Sequence, residues 1–233
     1  FMQACSSSRV SGRSEAEISK VSVRRGLFVL GLGFVFNVFI WFPEELFNWD
    51  VLTFIGAALL LLNFARKLPL HISVLVAVIS VLISPLLRGL ADYPSYWPSG
   101  YFETDLTLTD LWIGFTTTGY FPFFPWIAYS LAGFVTASLL FAEPAEVGVD
   151  DPAEPLPSVL PVVWCGGALV TLSVLLQLAR PYLPMLVAQK LLGGWTMFPP
   201  TIEYVLATIG GAIVLLGSAH QLVDRNPAAL QQT

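Results

Sequence analysis

Charge is scarce in this sequence of 233 residues: Asp, Glu, Lys and Arg together make up only 12%, about half of what soluble domains carry. Hydrophobic residues make up 55%, and they fall into nearly uncharged blocks such as GLFVLGLGFVFNVFIWF and HISVLVAVISVLISPLL. Blocks of this length and purity are typical of membrane helices. Because the bilayer offers the backbone no hydrogen-bond partners, each span must be helical. The sequence therefore predicts an all-α, polytopic helical membrane protein.

Cysteine and histidine are also rare, and their scarcity excludes several classes of site. Cys5 lies in a polar segment and Cys165 in an apolar block, without metal-ligand spacing, which argues against a disulfide framework or a zinc site. His71 and His220 are too few for a histidine-rich metal site, so no metal and no covalently bound cofactor is predicted. A net charge of −5 gives no support for nucleic-acid binding.

Six apolar blocks predict six transmembrane helices. Most approach the roughly 20 residues needed to cross a bilayer. The second block is short: at roughly 1.5 Å per residue it covers about 22 Å, so it needs its flanks or a thinned bilayer. The predicted organisation is a polar N-terminal segment at 1–23, a membrane domain at 24–223 with spans at about 24–42, 51–65, 70–87, 123–141, 158–178 and 202–222, an acidic linker at 142–157 and a tail at 224–233.

The distribution of Lys and Arg predicts the orientation, since short cytoplasmic loops carry the excess of these residues. With the N-terminus inside, the cytoplasmic set has eight members and the outer set three. The inner set is Arg9, Arg13, Lys20, Arg24, Arg25, Arg66, Lys67 and Arg225, and the outer set is Arg88, Arg180 and Lys190. We therefore expect a multi-pass protein of the cell membrane with both termini cytoplasmic.

The two long outer loops, 88–122 and 179–201, are rich in proline and aromatic residues. Aromatic rings collect at the headgroup level of membranes because they are amphipathic, so the loops could form an interfacial belt. Long loops also often carry function, and the alternative is a lid over an outward-facing cavity. The sequence alone leaves both interpretations open.

Six residues are predicted to line such an outer cavity. Asn37 is an amide inside the first span, where it either bonds a neighbouring helix or orients a substrate. Asp50 and Glu203 begin the second and sixth spans, where a cap or the helix dipole also explains a carboxylate. Arg88 ends the third span, and its charge could bind a phosphate or a carboxylate. The full set is Asn37, Asp50, Arg88, Tyr120, Trp126 and Glu203.

Three stretches carry a family resemblance: RRGLFVLGLGFVFNVF at 24–39, FNWDVLTFIGAALLL at 47–61 and GYFPFFPWIAYSLAGFVTA at 119–137. Together they resemble the membrane acyltransferases related to heparan-α-glucosaminide N-acetyltransferase. The motifs are hydrophobic patterns with a few fixed polar, proline and tryptophan positions, and they contain no catalytic signature. The likeness covers roughly residues 20 to 140 and continues more weakly to Leu222.

The resemblance implies acetyl transfer across the membrane from acetyl-CoA, as the acyl donor, to the amine or hydroxyl of a carbohydrate acceptor. It also implies a catalytic histidine in the region before Phe1, a position that neither His71 nor His220 matches. The chain is thus expected to be a fragment or a shortened homologue, and whether it is an enzyme by itself stays open. The alternatives are a transporter or flippase of a small polar or lipid-linked solute, and a non-catalytic membrane scaffold.

Cysteine labelling tests the predicted topology. In a background with Cys5 and Cys165 replaced by serine, Ser99→Cys lies in an outer loop and Ala153→Cys in the cytoplasmic linker. An impermeant maleimide is expected to label the first in intact cells and the second only after permeabilisation. Labelling of both positions from the same side would contradict the orientation.

Overall fold

A computed structural model describes residues 14–40, 49–92, 107–141 and 159–225. The predicted linker at 142–157, the first 13 residues and the last eight lie outside these ranges. In the described ranges every regular element is helical. The all-α prediction is therefore confirmed.

Each predicted span overlaps one helix, although the first helix, Glu15–Ile40, begins nine residues before the predicted start at 24, inside the segment predicted as polar. Within the described ranges, five helices are long and apolar enough to cross a membrane, and Val51–Ala65 is shorter, as its sequence predicts. The helices are α1 Glu15–Ile40, α2 Val51–Ala65, α3 Leu70–Leu90, the short α4 Leu108–Ile113, α5 Phe123–Leu140, α6 Leu160–Ala179 and α7 Ile202–Arg225. Single π-helical turns lie at Gly114–Thr118 and Val187–Leu192, and a 3₁₀ turn lies at Arg180–Tyr182.

The helices pack mainly in three pairs, α1 with α2, α3 with α5, and α6 with α7. Glycines allow the closest approaches. A Cβ on Gly56 of α2 would lie 2.4 Å from the backbone nitrogen of Leu30, and one on Gly33 would lie 2.7 Å from the Thr53 side chain. In membranes, where apolar side chains gain nothing by leaving lipid for each other, such close backbone contact is what holds helices together.

Helix α5 lies at the centre of the bundle. Its Trp126, Ile127 and Leu131 form a buried cluster with Phe54 and Ala58 of α2. A second buried cluster joins Ala128 of α5 to Val81 of α3 and Val205 of α7. Many large apolar side chains on the outward faces are exposed, as expected of helices that contact lipid; Phe28, Phe39 and Leu215 are examples.

The two ends of the bundle differ in chemistry. At the end where α1 begins and α2 finishes, Arg66 forms an ion pair with Glu15 at 3.4 Å and donates to its backbone oxygen at 3.3 Å. The Asn63 amide donates to the Ser19 hydroxyl at 3.0 Å. These bonds close the α1–α2 hairpin. The opposite end, called the Asp50 end below, is where α2, α5 and α7 begin and α3 and α6 finish.

The crossing of α6 and α7 gives a stability prediction with an adjacent control. A Cβ on Gly210 would lie 2.6 Å from the Gly166 carbonyl oxygen, which is backbone and cannot move aside, whereas a Cβ on Gly211 meets nothing within 4 Å. Gly210→Ala should lower the free energy of unfolding by about 1–3 kcal/mol. Gly211→Ala should change it by less than about 1 kcal/mol. Unfolding in mixed micelles measures both, and equal stability of the two variants would refute the tight crossing.

Candidate functional site at the Asp50 end

Asp50 is the N-cap of α2. Its Oδ1 accepts a hydrogen bond from the Val51 N–H at 2.6 Å, and its backbone oxygen accepts one from the Thr53 hydroxyl at 2.7 Å. A carboxylate at this position satisfies a backbone donor that has no partner within the helix. The capping interpretation of Asp50 therefore rests on observed bonds.

The neighbouring Trp49 ties the start of α2 to the loop before α5. Its backbone oxygen accepts from the Phe121 N–H at 2.9 Å, and its indole lies 4.2 Å from the Phe115 ring and 5.5 Å from the Phe34 ring, centroid to centroid. Gly119 passes so close that a Cβ there would lie 3.0 Å from the Cβ of Trp49. Trp49 thus joins α1, α2 and the loop.

The loop is anchored by the capping box of α4. The Asp110 carboxylate accepts from the Thr107 hydroxyl at 2.5 Å and from the Thr107 N–H at 2.9 Å, while the Asp110 N–H donates back to the hydroxyl at 3.3 Å. The hydroxyl bond, followed by the backbone bond, lowers the pKa of the Asp110 carboxyl. Asp110 stays ionised at neutral pH and fixes the entry to the π-helical turn that precedes Tyr120.

Tyr120 and Trp126 meet at Phe198. The Tyr120 ring is perpendicular to the Phe198 ring with centroids 6.4 Å apart, and Trp126 lies 6.4 Å from the same ring. Trp126 also packs on Phe121 at 4.8 Å and stacks on Tyr129 at 5.2 Å. Only 8% of Trp126 is exposed, and its buried Nε1 has no hydrogen-bond partner among the described residues.

Arg88 holds the segment that leads into α7. Its guanidinium donates to the Pro200 carbonyl oxygen at 2.7 Å, a contact between the last turn of α3 and the chain 112 residues later. The carbonyl is two residues after Phe198 and three before Glu203. Arg88, Tyr120 and Trp126 therefore all contact the short segment 198–200.

Glu203 is fully buried. Its Oε1 accepts from the Gly194 N–H at 3.2 Å, and its backbone oxygen accepts from the Ser173 hydroxyl of α6 at 2.6 Å. The Thr201 hydroxyl in turn donates to the Gly194 carbonyl oxygen. We call residues 193–201 the collar. Glu203 holds one side of the collar to the first turn of α7.

Asn37 occupies the face of α1 that packs on α2, and it is fully buried. It lies one helical turn beyond Gly33, which contacts Thr53. Since α1 and α2 are antiparallel, this places Asn37 beside the start of α2. The six residues predicted from sequence therefore lie at one end of the bundle, with Arg88, Tyr120 and Trp126 contacting the segment before Glu203.

The sequence interpretation missed several residues of this end. Arg180, which it only counted among the outer basic residues, donates its Nε–H to the Ala188 carbonyl oxygen at 3.0 Å. Gln177, Ser173 and Gly194 were not proposed, because their proximity arises only when the collar folds back on α6. Among the described residues, no three His, Cys, Asp or Glu side chains come together as metal ligands would.

Two variants can distinguish the contribution of the Asp50 hydrogen-bond acceptor from that of its negative charge. Asp50→Ala removes the acceptor for the Val51 N–H and should lower the free energy of unfolding by about 1 kcal/mol. Asp50→Asn keeps an acceptor oxygen and should lower it by less than about 0.5 kcal/mol. Unfolding in mixed micelles compares the two; an equal loss in both variants would show that the charge, and not the hydrogen bond, stabilises α2.

Comparison with known proteins identifies the family. The family model described as heparan-alpha-glucosaminide N-acetyltransferase, catalytic, matches residues 3–175, well over half of the chain. Comparison with curated proteins and with solved structures finds no match. The matched range includes Asn37, Asp50, Arg88, Tyr120 and Trp126, whereas Glu203 and the collar follow it. The chain belongs to the membrane acetyltransferase family related to heparan-α-glucosaminide N-acetyltransferase.

Proposed function

We propose that this protein, in its intact form, transfers an acetyl group from acetyl-CoA to a carbohydrate-type acceptor, and that the Asp50 end of the bundle receives the acceptor. The observation that carries the proposal is the match of the catalytic family model to residues 3–175. Five of the six residues predicted here to line the outer cavity fall within that range, and they lie at the Asp50 end. On the predicted topology the Asp50 end faces away from the cytoplasm.

The residues of the Asp50 end fit two requirements of acyl transfer. The reaction needs substrates held in a fixed orientation, with water excluded. Arg88 and the ring contacts at Phe198 join α3, α5 and the approach to α7 across the end of the bundle. The second requirement is hydrogen-bond donors for the negative charge that develops on the acetyl oxygen. Two buried indole N–H groups, of Trp49 and Trp126, have no acceptor among the described residues and suit this role.

The two histidines lie away from this end. His71 is in the first turn of α3, whose last turn carries Arg88, and His220 lies in the last two turns of α7 with its ring 5.2 Å from the Phe141 ring. Neither can reach an acceptor at the Asp50 end. The assay therefore uses the intact protein in its own membrane, so that any further groups the reaction needs are present.

An acetyl-transfer assay tests the proposal. Membranes that contain the intact protein, given radiolabelled acetyl-CoA and D-glucosamine, should form labelled N-acetylglucosamine. Arg88→Gln removes the guanidinium that holds Pro200 and should lower kcat/KM roughly tenfold, the loss expected for one charged hydrogen bond. Lys190→Gln, an equal change of charge at an exposed position, is the matched control and should leave kcat/KM unchanged.

Two results would contradict the proposal. One is the absence of labelled product with sugar amines and sugar hydroxyls alike. The other is accumulation of unmodified sugar inside sealed vesicles without acetylation, which would favour a transporter.

A further inference from the structure

The outward side of α1 carries three basic residues near the end of the bundle where α1 begins. Lys20 and Arg24 are one helical turn apart, Arg25 flanks them, and all three are exposed. Among the described residues, none of the three forms an ion pair or a side-chain hydrogen bond. We call these three residues the basic face. Its charge is available to an anion from outside the chain.

The basic face is turned away from the other helices. The side of α1 that packs on α2 is the opposite one, where Gly26 and Gly33 make their close contacts. Phe28, one turn beyond Arg24, is 70% exposed, and a Cβ on Gly31 would meet nothing within 4 Å. The outward side of α1 therefore changes from positive charge to open apolar surface within about one helical turn.

The spacing of polar groups along α1 and α2 places the basic face at the edge of the hydrocarbon. Helix α2 has 15 residues, which at roughly 1.5 Å per residue span about 22 Å between the charged Asp50 and Arg66. On α1, the distance from Arg24 to Asn37, which lies beside the start of α2, is about 20 Å by the same rise. Both lengths are shorter than the roughly 30 Å hydrocarbon core of a bilayer. Arg24 therefore lies close to hydrocarbon, where a cation needs a counter-charge.

The acidic residues at the start of α1 do not supply that counter-charge. The Glu17 carboxylate accepts from the Ser14 N–H at 3.2 Å, and the Glu15 carboxylate pairs with Arg66 at 3.4 Å. Glu17 lies about two helical turns before Arg24. The two carboxylates stabilise the helix N-terminus and the α1–α2 hairpin, and they leave the charge of the basic face without a partner in the described part of the chain.

A phospholipid matches both parts of this surface. Its phosphodiester supplies the negative charge, and arginine binds phosphate oxygens through several N–H donors in a fixed fork. Arginine side chains also reach from the edge of the hydrocarbon toward the headgroups. The acyl chains cover the exposed apolar surface at Phe28 and Gly31. A soluble phosphate ester, such as the nucleotide of CoA, has the charge but no apolar tail to cover that surface.

We propose that the basic face binds the phosphodiester of an anionic phospholipid, whose acyl chains lie along α1 at Phe28 and Gly31. A net negative headgroup is required, because the choline of a zwitterionic lipid would bring a further cation beside three others. On the predicted topology the lipid belongs to the cytoplasmic leaflet. A headgroup held at Arg24 also shortens the apolar distance that the short α2 has to cross. The site does not depend on the proposed acetyl transfer.

Lipid binding to the purified intact protein tests the site without relying on turnover. In mild detergent, native mass spectrometry counts bound phosphatidylglycerol and phosphatidylcholine with identical acyl chains as each lipid is titrated. The wild-type protein should bind its first phosphatidylglycerol at least roughly tenfold more tightly than its first phosphatidylcholine. Added salt should reduce this preference, because it screens the charges.

Charge variants locate the site. Arg24→Gln combined with Arg25→Gln removes two of the three charges and should abolish most of the preference. Lys67→Gln combined with Lys190→Gln is the matched control, with the same change of net charge at two exposed positions outside the basic face, and should retain it. Thermal unfolding identifies a variant that fails to fold. Lys20→Gln, a change of one exposed charge, then carries the test and should lower the preference roughly threefold.

Four results would overturn the site. The first is equal binding of the two lipids by the wild-type protein, and the second is an unchanged preference in the folded Arg24→Gln/Arg25→Gln protein. The third is an equal loss in the Lys67→Gln/Lys190→Gln control, which would reduce the preference to net charge. The fourth is displacement of bound phosphatidylglycerol by inorganic phosphate or CoA, which would assign the basic face to a soluble phosphate.

Discussion

The need to pair every backbone hydrogen-bonding group inside a membrane protein shapes the Asp50 end. Helices satisfy this need internally, but the chain at 114–122 and 183–201 is not regular α-helix, so its groups need other partners. The Phe121 N–H donates to the Trp49 carbonyl oxygen, and the Thr201 N–H donates to the Thr196 carbonyl oxygen. The Pro200 carbonyl oxygen accepts from the Arg88 guanidinium. Two of the polar residues of the candidate site, Arg88 and Glu203, bond to irregular backbone there, at the Pro200 carbonyl oxygen and the Gly194 N–H.

The same requirement explains why the polar groups of the other end are simpler. Helices α2 and α3 are joined there by a tight connection, and Arg66 and Asn63 complete it with bonds to α1. No long irregular segment has to be accommodated within the described residues of that end. At the Asp50 end, by contrast, loops bring side chains from distant parts of the sequence into contact.

The family match ends at residue 175, inside α6, but α6 packs against α7, which lies beyond the matched range. Gly166 of α6 lies within the matched range and packs against Gly210 of α7, which lies outside it, and the Ser173 hydroxyl of α6 bonds to Glu203 of α7. A family described by residues 3–175 alone would leave one face of α6 without the partner it has here. The collar and Glu203 therefore belong to the same structural unit as the matched helices, although no sequence motif of the family marks them.

The sequence predicts what depends on short-range chemistry. The apolar blocks predict the helices because a bilayer permits little else, and Asp50 before an apolar run predicts its cap. That Arg88, Tyr120 and Trp126 would share the segment 198–200 is beyond such reasoning, since the contact joins Arg88 to a carbonyl 112 residues away. Gln177 is an amide near the end of an apolar block, but nothing local predicts that it lies beside Gly194, because their proximity depends on the collar folding back on α6.

Asp50 and Glu203 show how far a common local rule can mislead. Both begin a helix and both fit the preference for a carboxylate at a helix N-terminus. Asp50 uses its side chain on the adjacent backbone N–H and is only partly buried, so the local rule accounts for it. Glu203 is fully covered, accepts a bond from a loop nine residues earlier and leaves one oxygen without a donor among the described residues. The helix dipole would stabilise an exposed carboxylate equally well, so it does not explain this burial. Of the two, Glu203 is the carboxylate whose position requires a reason beyond the helix it begins.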